Sequence, residues 1–562
     1  MISDLLPPGV LLILGGALLP FVRGPLRAAV LLVAPLLTLA AVWTVPDGVV
    51  MTAGFLDYTL QVVEGDRLSR LFGIVFALAA FGGGLFALRQ DFTRELAAAY
   101  VYAGSSIGVV FSGDLITLFV FWEIMAIAST VVVWSGNSAR SARAGMRYIL
   151  VHLLGGVLLM AGLAAHIVDT GSIDATRLLP STLGSWLMLA GILVNAGAPP
   201  LWAWVADAYP EASWSGAVFL SAFTTKTAVY VLIRLYPGTE ILVWIGLAMI
   251  FYGVIYALRE NDMRRILVYS IVNQVGFMVT AVGIGTETAL NGAAAHAFAH
   301  ILYKAVLLMS AGAVLYQTGG VGKCTQLGGL ARSMPFTTAA AIIGALSICA
   351  FPLTSGFVSK SMIIDAAGAE HMAAAWFLLE AASAAAILYV GLRFVWFVFF
   401  DRDSGLRPAD PPLSMKAAMG LMAALCLILG VWPQPLYDLL PYPVDYVPYT
   451  VSHVVHQLQL LLFAAAVFFL TLPLTRPREG ITLDFDWFYR RFGLMLAREL
   501  GIATGRAGQS LLGSGKAVLR RFVGFVETHH GPGGLLARTW GTSMAVLSVL
   551  VLLLVYLLIY YV

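Results

Sequence analysis

The sequence predicts an all-α polytopic membrane protein with about sixteen transmembrane helices, and three observations predict it. Of 562 residues, 60% are hydrophobic and only 11% are charged, against about 25% charged in an ordinary soluble chain. Apolar runs long enough to cross about 30 Å of hydrocarbon recur from end to end. The charges that remain cluster between those runs, although three of the six lysines fall inside them. The 33 Lys+Arg against 30 Asp+Glu leave a formal net charge of +3, which gives no electrostatic reason to expect a nucleic-acid partner. Three cysteines, Cys324, Cys349 and Cys426, stand far apart in sequence. They form neither a disulfide framework nor a zinc spacing.

In chain order the apolar runs place helices near 8–22, 27–45, 68–88, 95–112, 114–135, 145–167, 185–206 and 212–234. They continue near 239–258, 264–285, 290–316, 335–363, 372–399, 414–431, 456–473 and 543–562. The first run is followed by Phe-Val-Arg-Gly-Pro at 21–25. With no small-residue cleavage site, it reads as a retained span and not as a signal peptide. Loops after odd-numbered helices carry the arginines, for example Arg89 and Arg94, then Arg140, Arg143 and Arg147, then Arg259, Arg264 and Arg265, whereas loops after even-numbered helices carry few. Cytoplasmic loops collect basic residues, so the N-terminus is expected outside the cytoplasm. The setting is a bacterial-type cytoplasmic membrane. Between Arg476 and Thr542 the apolar runs are broken by Arg490, Arg491, Arg498, Arg506, Lys516, Arg520, Arg521 and Arg538. Phe488, Phe492, Leu496 and Leu500 would share one face of a helix there. The segment reads either as an amphipathic cytoplasmic element on the membrane surface or as a solvated linker touching anionic lipid.

Only six lysines occur, and three of them, Lys226, Lys304 and Lys360, fall inside apolar spans. A lysine at mid-membrane costs about 2.5–3.5 kcal/mol on insertion scales, so it marks a bundle-interior or water-lined position. Lysine can release its proton when desolvated, which arginine effectively cannot. A chain that buries lysine and keeps arginine for its loops therefore looks suited to proton exchange. Among the acids, Glu123 in Phe-Val-Phe-Trp-Glu-Ile-Met and Glu380 in Phe-Leu-Leu-Glu-Ala-Ala are intramembrane. Each reads as a relay carboxylate or as half of an ion pair fastening two helices.

The densest constellation is His296, His300 and Lys304, at i, i+4 and i+8. On a helix they form one stripe about 12 Å long. Histidine suits exchange near neutral pH. A His-x3-His pair can also ligate a metal, but no HExxH glutamate or cysteine completes a site, so no metal is expected. Two helices are interrupted near charge, at Ala198-Pro199-Pro200 and at Phe351-Pro352-Leu353-Thr354-Ser355-Gly356 just before Lys360. Proline frees carbonyls that must be resatisfied, which bilayers tolerate where the break faces protein or a wet cavity. Interruptions at corresponding places in two repeats point to a transport site.

These motifs carry a resemblance. Trp122-Glu123, the stretch from Pro199 through Trp204, Asp207 and Pro210 to Lys226-Thr-Ala-Val-Tyr230, Asp262 through Ser270, His296 through Lys304, and Ser355-Gly-Phe-Val-Ser-Lys360 stand in this order. Together they resemble the antiporter-like subunits shared by Mrp-type sodium/proton antiporters, respiratory complex I and membrane-bound hydrogenases, with the D component of the Mrp complexes the nearest in look. The resemblance covers residues 95–400. It implies a core of about fourteen helices with two inverted five-helix repeats and breaks in helices 7 and 12.

It also implies a proton relay of Glu123, Lys226, His296, His300, Lys304 and Lys360, with Glu380, His152 and Asp207 as accessory candidates. Glu123 would pair with a lysine in a two-state switch. Three positions depart from the family pattern. Asn195 stands where a lysine is usual before the first break, Trp202 replaces a histidine, and Ser361 replaces an acid. The tail resembles the lateral helix and final anchor of the largest antiporter-like component of complex I.

The implied organisation is N-terminal helices over 1–94, a first repeat over 95–234, a second over 239–400, and peripheral helices over 401–475. A basic amphipathic segment over 476–542 and an anchor over 543–562 complete it. The function implied is proton translocation within a Na+ or K+/proton antiporter built of several subunits, in contact with other membrane proteins of the complex and with lipid. No cofactor is expected, because GxGxxG, CxxCH and iron–sulfur cysteine sets are missing. Two alternatives stay open: the pumping arm of a redox complex, and a scaffold whose channel Asn195 has disabled.

Overall fold

The computed structural model describes residues 6–480, 483–531, 534 and 541–561. The chain forms two units, Met1–Asp486 and Trp487–Val562. Unit one opens with α1 (Pro8–Leu18) and α2 (Gly24–Thr44), a hairpin of β1 (Gly48–Phe55) and β2 (Tyr58–Gly65), then α3 (Arg67–Phe86), α4 (Thr93–Phe111), α5 (Leu115–Trp134) and α6 (Ala139–Thr170). It continues through α7 (Leu183–Ala196), α8 (Trp204–Ala208), α9 (Gly216–Ala222), α10 (Thr224–Leu235), α11 (Ile241–Arg259), α12 (Met263–Ile284) and α13 (Glu287–Thr318). Then come α14 (Pro335–Ile348), α15 (Ser355–Ala369), α16 (Ala373–Ala386), α17 (Leu413–Val431), α18 (Gln434–Tyr437), α19 (Val451–Leu470) and α20 (Leu472–Thr475). Unit two holds α21 (Gly493–His530) and α22 (Thr542–Tyr561).

Among the described residues, 12 helices are long and apolar enough to cross a membrane. The shorter apolar helices Pro8–Phe21, Leu183–Ala196 and Pro335–Ile348, together with α4, occupy the other predicted crossings. Three elements are enclosed along their whole apolar length: Gly216–Leu235, α12 and α13. They form the axis of unit one, and every buried lysine lies on one of them or on the adjacent α15. Helix starts follow local capping rules. The side chain of Asp66 accepts from the Ser69 N–H at α3, and that of Asp114 from the Thr117 N–H at α5; each satisfies an otherwise orphaned amide. Close helix contacts use small residues. A Cβ on Gly9 of α1 would stand 2.1 Å from the Gly104 carbonyl oxygen of α4, so only glycine allows that approach.

Both predicted interruptions are present. After α7 the chain turns at Gly197 (φ 75°) and resumes helix at α8, and between α14 and α15 residues 349–354 are non-helical. Three features were not anticipated. The span predicted as continuous over 212–234 is divided at Phe223 (φ −104°, ψ −71°) into α9 and α10. The wider-wound stretches Ile387–Phe394 and Trp396–Phe400 continue α16. The β-hairpin also arises where only a connection was expected, and the Gln61 N–H donates to Asp114 Oδ2 (2.8 Å) at the start of α5.

In unit two, Phe488, Phe492, Leu496 and Leu500 are all exposed, as are Arg498, Arg506, Lys516, Arg520 and Arg521. Arg538 lies outside the described residues. No described residue of α22 is buried; such an all-apolar surface suits an anchor facing lipid.

Candidate functional site: a buried lysine–histidine axis

The three intramembrane lysines share one arrangement. Lys226, at the start of α10, donates from Nζ to the Ser221 carbonyl (2.6 Å) and to Thr225 Oγ1 (3.1 Å). Ser221 belongs to the last turn of α9, so the Phe223 break supplies a free carbonyl to the ammonium. Lys360, on α15, donates to the carbonyl of Ile348 (2.6 Å), the final residue of α14, and lies 5.1 Å from the centre of the Phe277 ring. Carbonyls at a helix end carry partial negative charge and lack intrahelical donors, so they attract a cation. Lys304, on α13, donates to the Leu267 carbonyl (2.9 Å) and to Ser270 Oγ on α12. All three are fully buried. Among the described residues no carboxylate stands within ion-pair distance of any of them.

The histidines join two of these lysines. His296 Nδ1 lies 3.1 Å from Ser359 Oγ, the residue beside Lys360, and its Nε2 lies 3.1 Å from Gln274 Oε1. Tyr303 OH reaches both Gln274 Oε1 (3.3 Å) and His296 Nε2 (3.4 Å). Tyr389 OH donates to Asn273 Oδ1 (2.6 Å), and the Gln274 amide donates to the same oxygen. His300, midway between His296 and Lys304 on α13, has no hydrogen-bond partner on either ring nitrogen, and its ring meets Tyr303 edge-on (centres 5.2 Å apart). A buried imidazole with both nitrogens open can accept or release a proton without first breaking a bond. The arrangement therefore runs from Lys304 past His300 to His296, Ser359 and Lys360.

A second hydroxyl network flanks Lys226. Tyr102 OH and Thr224 Oγ1 are 2.5 Å apart, and Tyr148 OH donates to Ser129 Oγ (2.9 Å) while standing 3.5 Å from Thr224 Oγ1. His152 stacks on Tyr148 (3.9 Å) and meets Trp204 edge-on; its Nδ1 lies 2.9 Å from the Tyr148 carbonyl and its Nε2 has no partner. His152 thus belongs to the Lys226 side.

The remaining candidates lie apart. Glu123 is half-buried, its Oε1 has no hydrogen-bond partner, and it packs on Gly156 of α6, where a Cβ would stand 2.0 Å from Oε1. The structure shows no Glu123–lysine ion pair. Asn195 of α7 is fully buried against Gly155 of α6, with both amide atoms unpartnered. Asp207 forms a bidentate pair with Arg147 (2.6 and 2.8 Å), tying α8 to α6. Glu380 pairs with His456 of α19 (3.6 Å). Trp202 stacks on Tyr252 (4.2 Å, 10°).

The residues overlooked in sequence are uncharged: Ser270, Asn273, Gln274, Tyr303, Ser359 and Tyr389. The available signal was polarity inside fully buried helices, since amides and hydroxyls there require partners. No group of three or more His, Cys, Asp or Glu side chains among the described residues could hold a metal ion.

Comparison with known proteins shows what the chain is similar to. Residues 112–387 match the family model described as "NADH:quinone oxidoreductase/Mrp antiporter, TM". The chain is 31% identical over 352 residues to the D component of the Na(+)/H(+) antiporter of Alkalihalophilus pseudofirmus, covering 58% of this chain and 68% of that one. It is 30% identical over 366 residues to the A/B component of the probable K(+)/H(+) antiporter of Rhizobium meliloti, covering 60% of this chain. It spans only 36% of the length of that relative. The fold matches a chain of the membrane-bound sulfane sulfur reductase, an archaeal respiratory membrane complex, with a TM-score of 0.72 at 23% identity, over 98% of this chain and all of that chain.

Proposed function

Because the chain belongs to the NADH:quinone oxidoreductase/Mrp antiporter membrane family, we propose that it is the proton-translocating component of a larger antiporter complex exchanging Na+ or K+ for protons. The observation that carries this reading is the set of three buried lysines held by carbonyls and hydroxyls, with His296 and His300 between two of them. An ammonium held only by neutral acceptors keeps its proton less firmly than one facing a carboxylate. Lys226, Lys304 and Lys360 are then the groups that load and unload, and the histidines carry protons between Lys304 and Lys360. Glu123, unpaired in this structure, is the carboxylate that biases the first half. The repeats 95–234 and 239–400 act as its two half-channels. The arginine-bearing loops face the cytoplasm, and the chain sits in a bacterial-type inner membrane beside other membrane subunits. The names of the two relatives, one a sodium and one a potassium exchanger, support the cation class.

The test is dye quenching by everted vesicles that contain this chain with its co-purifying partners, energised and then given sodium or potassium. Cation-induced dequenching that Lys304→Ala abolishes is the expected result. Dequenching that survives Lys304→Ala in an assembled complex overturns the reading.

A second reading makes the same axis the pumping arm of a redox complex. It is favoured by the family description, which names NADH:quinone oxidoreductase, and by the fold match to a respiratory complex along nearly the whole chain, tail included. A proton gradient that needs a redox donor and this chain, with no response to either cation, selects it.

A further inference from the structure

A cavity of about 620 Å³ opens between α15, α16, α19 and the segment before α19. Four carboxylates line it, those of Glu287, Asp365, Glu380 and Asp445, and among the described residues no lysine or arginine does. His453, stacked on Phe357 (4.6 Å, 16°), is the imidazole on its wall. The cavity reaches Ser361 and Phe357, on the same turns of α15 that present Ser359 and Lys360 to the axis. At its inner end Ser383 of α16 is 1% exposed and its Oγ has no hydrogen-bond partner. One turn away, Glu380 holds His456 through Oε1 and leaves Oε2 unpartnered. A serine buried within an apolar helix ordinarily bonds its own i−4 carbonyl. One that does not, beside an open carboxylate oxygen, is arranged for something that enters the cavity.

We propose that this cavity captures a hydrated monovalent cation, with the Glu380 carboxylate and the Ser383 hydroxyl as its inner contacts and Glu287, Asp365 and Asp445 as the field that draws it in. The inference rests on the antiporter reading and adds the place where the cation binds. The side chains do not converge tightly enough to strip an ion of its water, whereas the volume admits an ion with part of its shell. Four carboxylates in a lining with no lysine or arginine among the described residues concentrate cations there. The cavity wall includes Phe357 and Ser361, the α15 neighbours of Lys360, so a cation held there adds positive charge on that side of the helix and favours release of the Lys360 proton.

The test uses right-side-out membrane vesicles carrying the intact complex and a trapped pH dye, with sodium or potassium added outside. Glu380→Gln is expected to raise the half-saturating cation concentration about tenfold, the equivalent of ~1.4 kcal/mol. Ser383→Ala is expected to raise it about threefold, or ~0.7 kcal/mol. Both should leave the rate at saturation within about twofold, as loss of a binding contact alone does. In the purified complex, replacing choline chloride with sodium or potassium chloride should shift infrared carboxylate bands in the parent and not in Glu380→Gln. An unchanged half-saturating concentration in Glu380→Gln overturns the proposal, as does a lowered maximal rate at unchanged half-saturation. Absence of any cation-dependent band shift in the parent also overturns it. A preserved band shift with no cation-driven proton flux leaves the site standing and defeats the antiport reading.

Discussion

Lys360 Nζ lies 2.6 Å from the carbonyl oxygen of Ile348, the residue at which α14 ends. The break between α14 and α15 thus serves the lysine directly. It exposes a helix C-terminus to an ammonium that has no carboxylate partner among the described residues, and the same logic joins Lys226 to Ser221 at the end of α9.

From that contact it follows that charge alone will not suffice at position 360. Lys360→Arg keeps a cation beside the Ile348 carbonyl but cannot release its proton. Lys360→Arg and Lys360→Ala should therefore both lower exchange by about 10²-fold, the usual worth of a proton-transfer group. Initial rates in vesicles with equal amounts of assembled complex check this. Wild-type rates in Lys360→Arg would show that the residue only neutralises the helix end.

Gln274 is the acceptor shared by His296 and Tyr303. Gln274→Leu keeps the volume and strands both groups, so the exchange rate should fall about tenfold. The cost in stability should be ~1–3 kcal/mol, as for an orphaned buried partner. Rate and thermal unfolding measured on one preparation separate the effects. A stability loss with full activity would place the His296 contact outside the proton path.

How far the sequence discloses this arrangement depends on what kind of signal each element leaves. Proline and charge are conspicuous in an apolar run, so the breaks at Pro199 and Pro352 and the three buried lysines stand out. The break at Phe223 does not, because no proline or glycine marks it; it lies in a span enclosed on all sides. The wide turns over 387–400 leave no compositional mark either. Ser270, Asn273 and Tyr389 escape notice because neutral polar residues barely alter a hydropathy profile, although Ser270 holds Lys304 and Asn273 links Tyr389 to Gln274. Glu123 shows the opposite failure. Its charge makes it obvious, whereas its surroundings are not legible: the resemblance implies a pairing with lysine that opens and closes, and in this structure its Oε1 is without a partner.

Glu123 instead depends on a glycine. A methyl at Gly156 would sit 2.0 Å from Glu123 Oε1, and the carboxylate, as the flexible end of its side chain, must move. Gly156→Ala should therefore fold and assemble while lowering exchange to about the level of Glu123→Gln. Combining the two should add little, as expected for changes acting through one group. Additive losses in the double variant would mean that Gly156 matters only to the packing of α5 on α6.

Asn195 and Asn273 are both fully buried asparagines, and the structure predicts opposite sensitivities for them. Asn273 Nδ2 donates to the Ile250 carbonyl (3.0 Å) and its Oδ1 accepts from Tyr389 (2.6 Å) and from the Gln274 amide, so Asn273→Ala removes the partner of three groups and should cost ~2–3 kcal/mol. Asn195 spends its burial on no protein contact. Asn195→Ala therefore removes an unpaired amide along with some packing, and the opposing terms should leave stability within ~1 kcal/mol. Thermal unfolding of the two variants in the assembled complex decides the matter. If Asn195→Ala proves as damaging as Asn273→Ala, the Asn195 amide has a partner in the membrane-embedded protein, and the first half-channel is built around it rather than disabled by it.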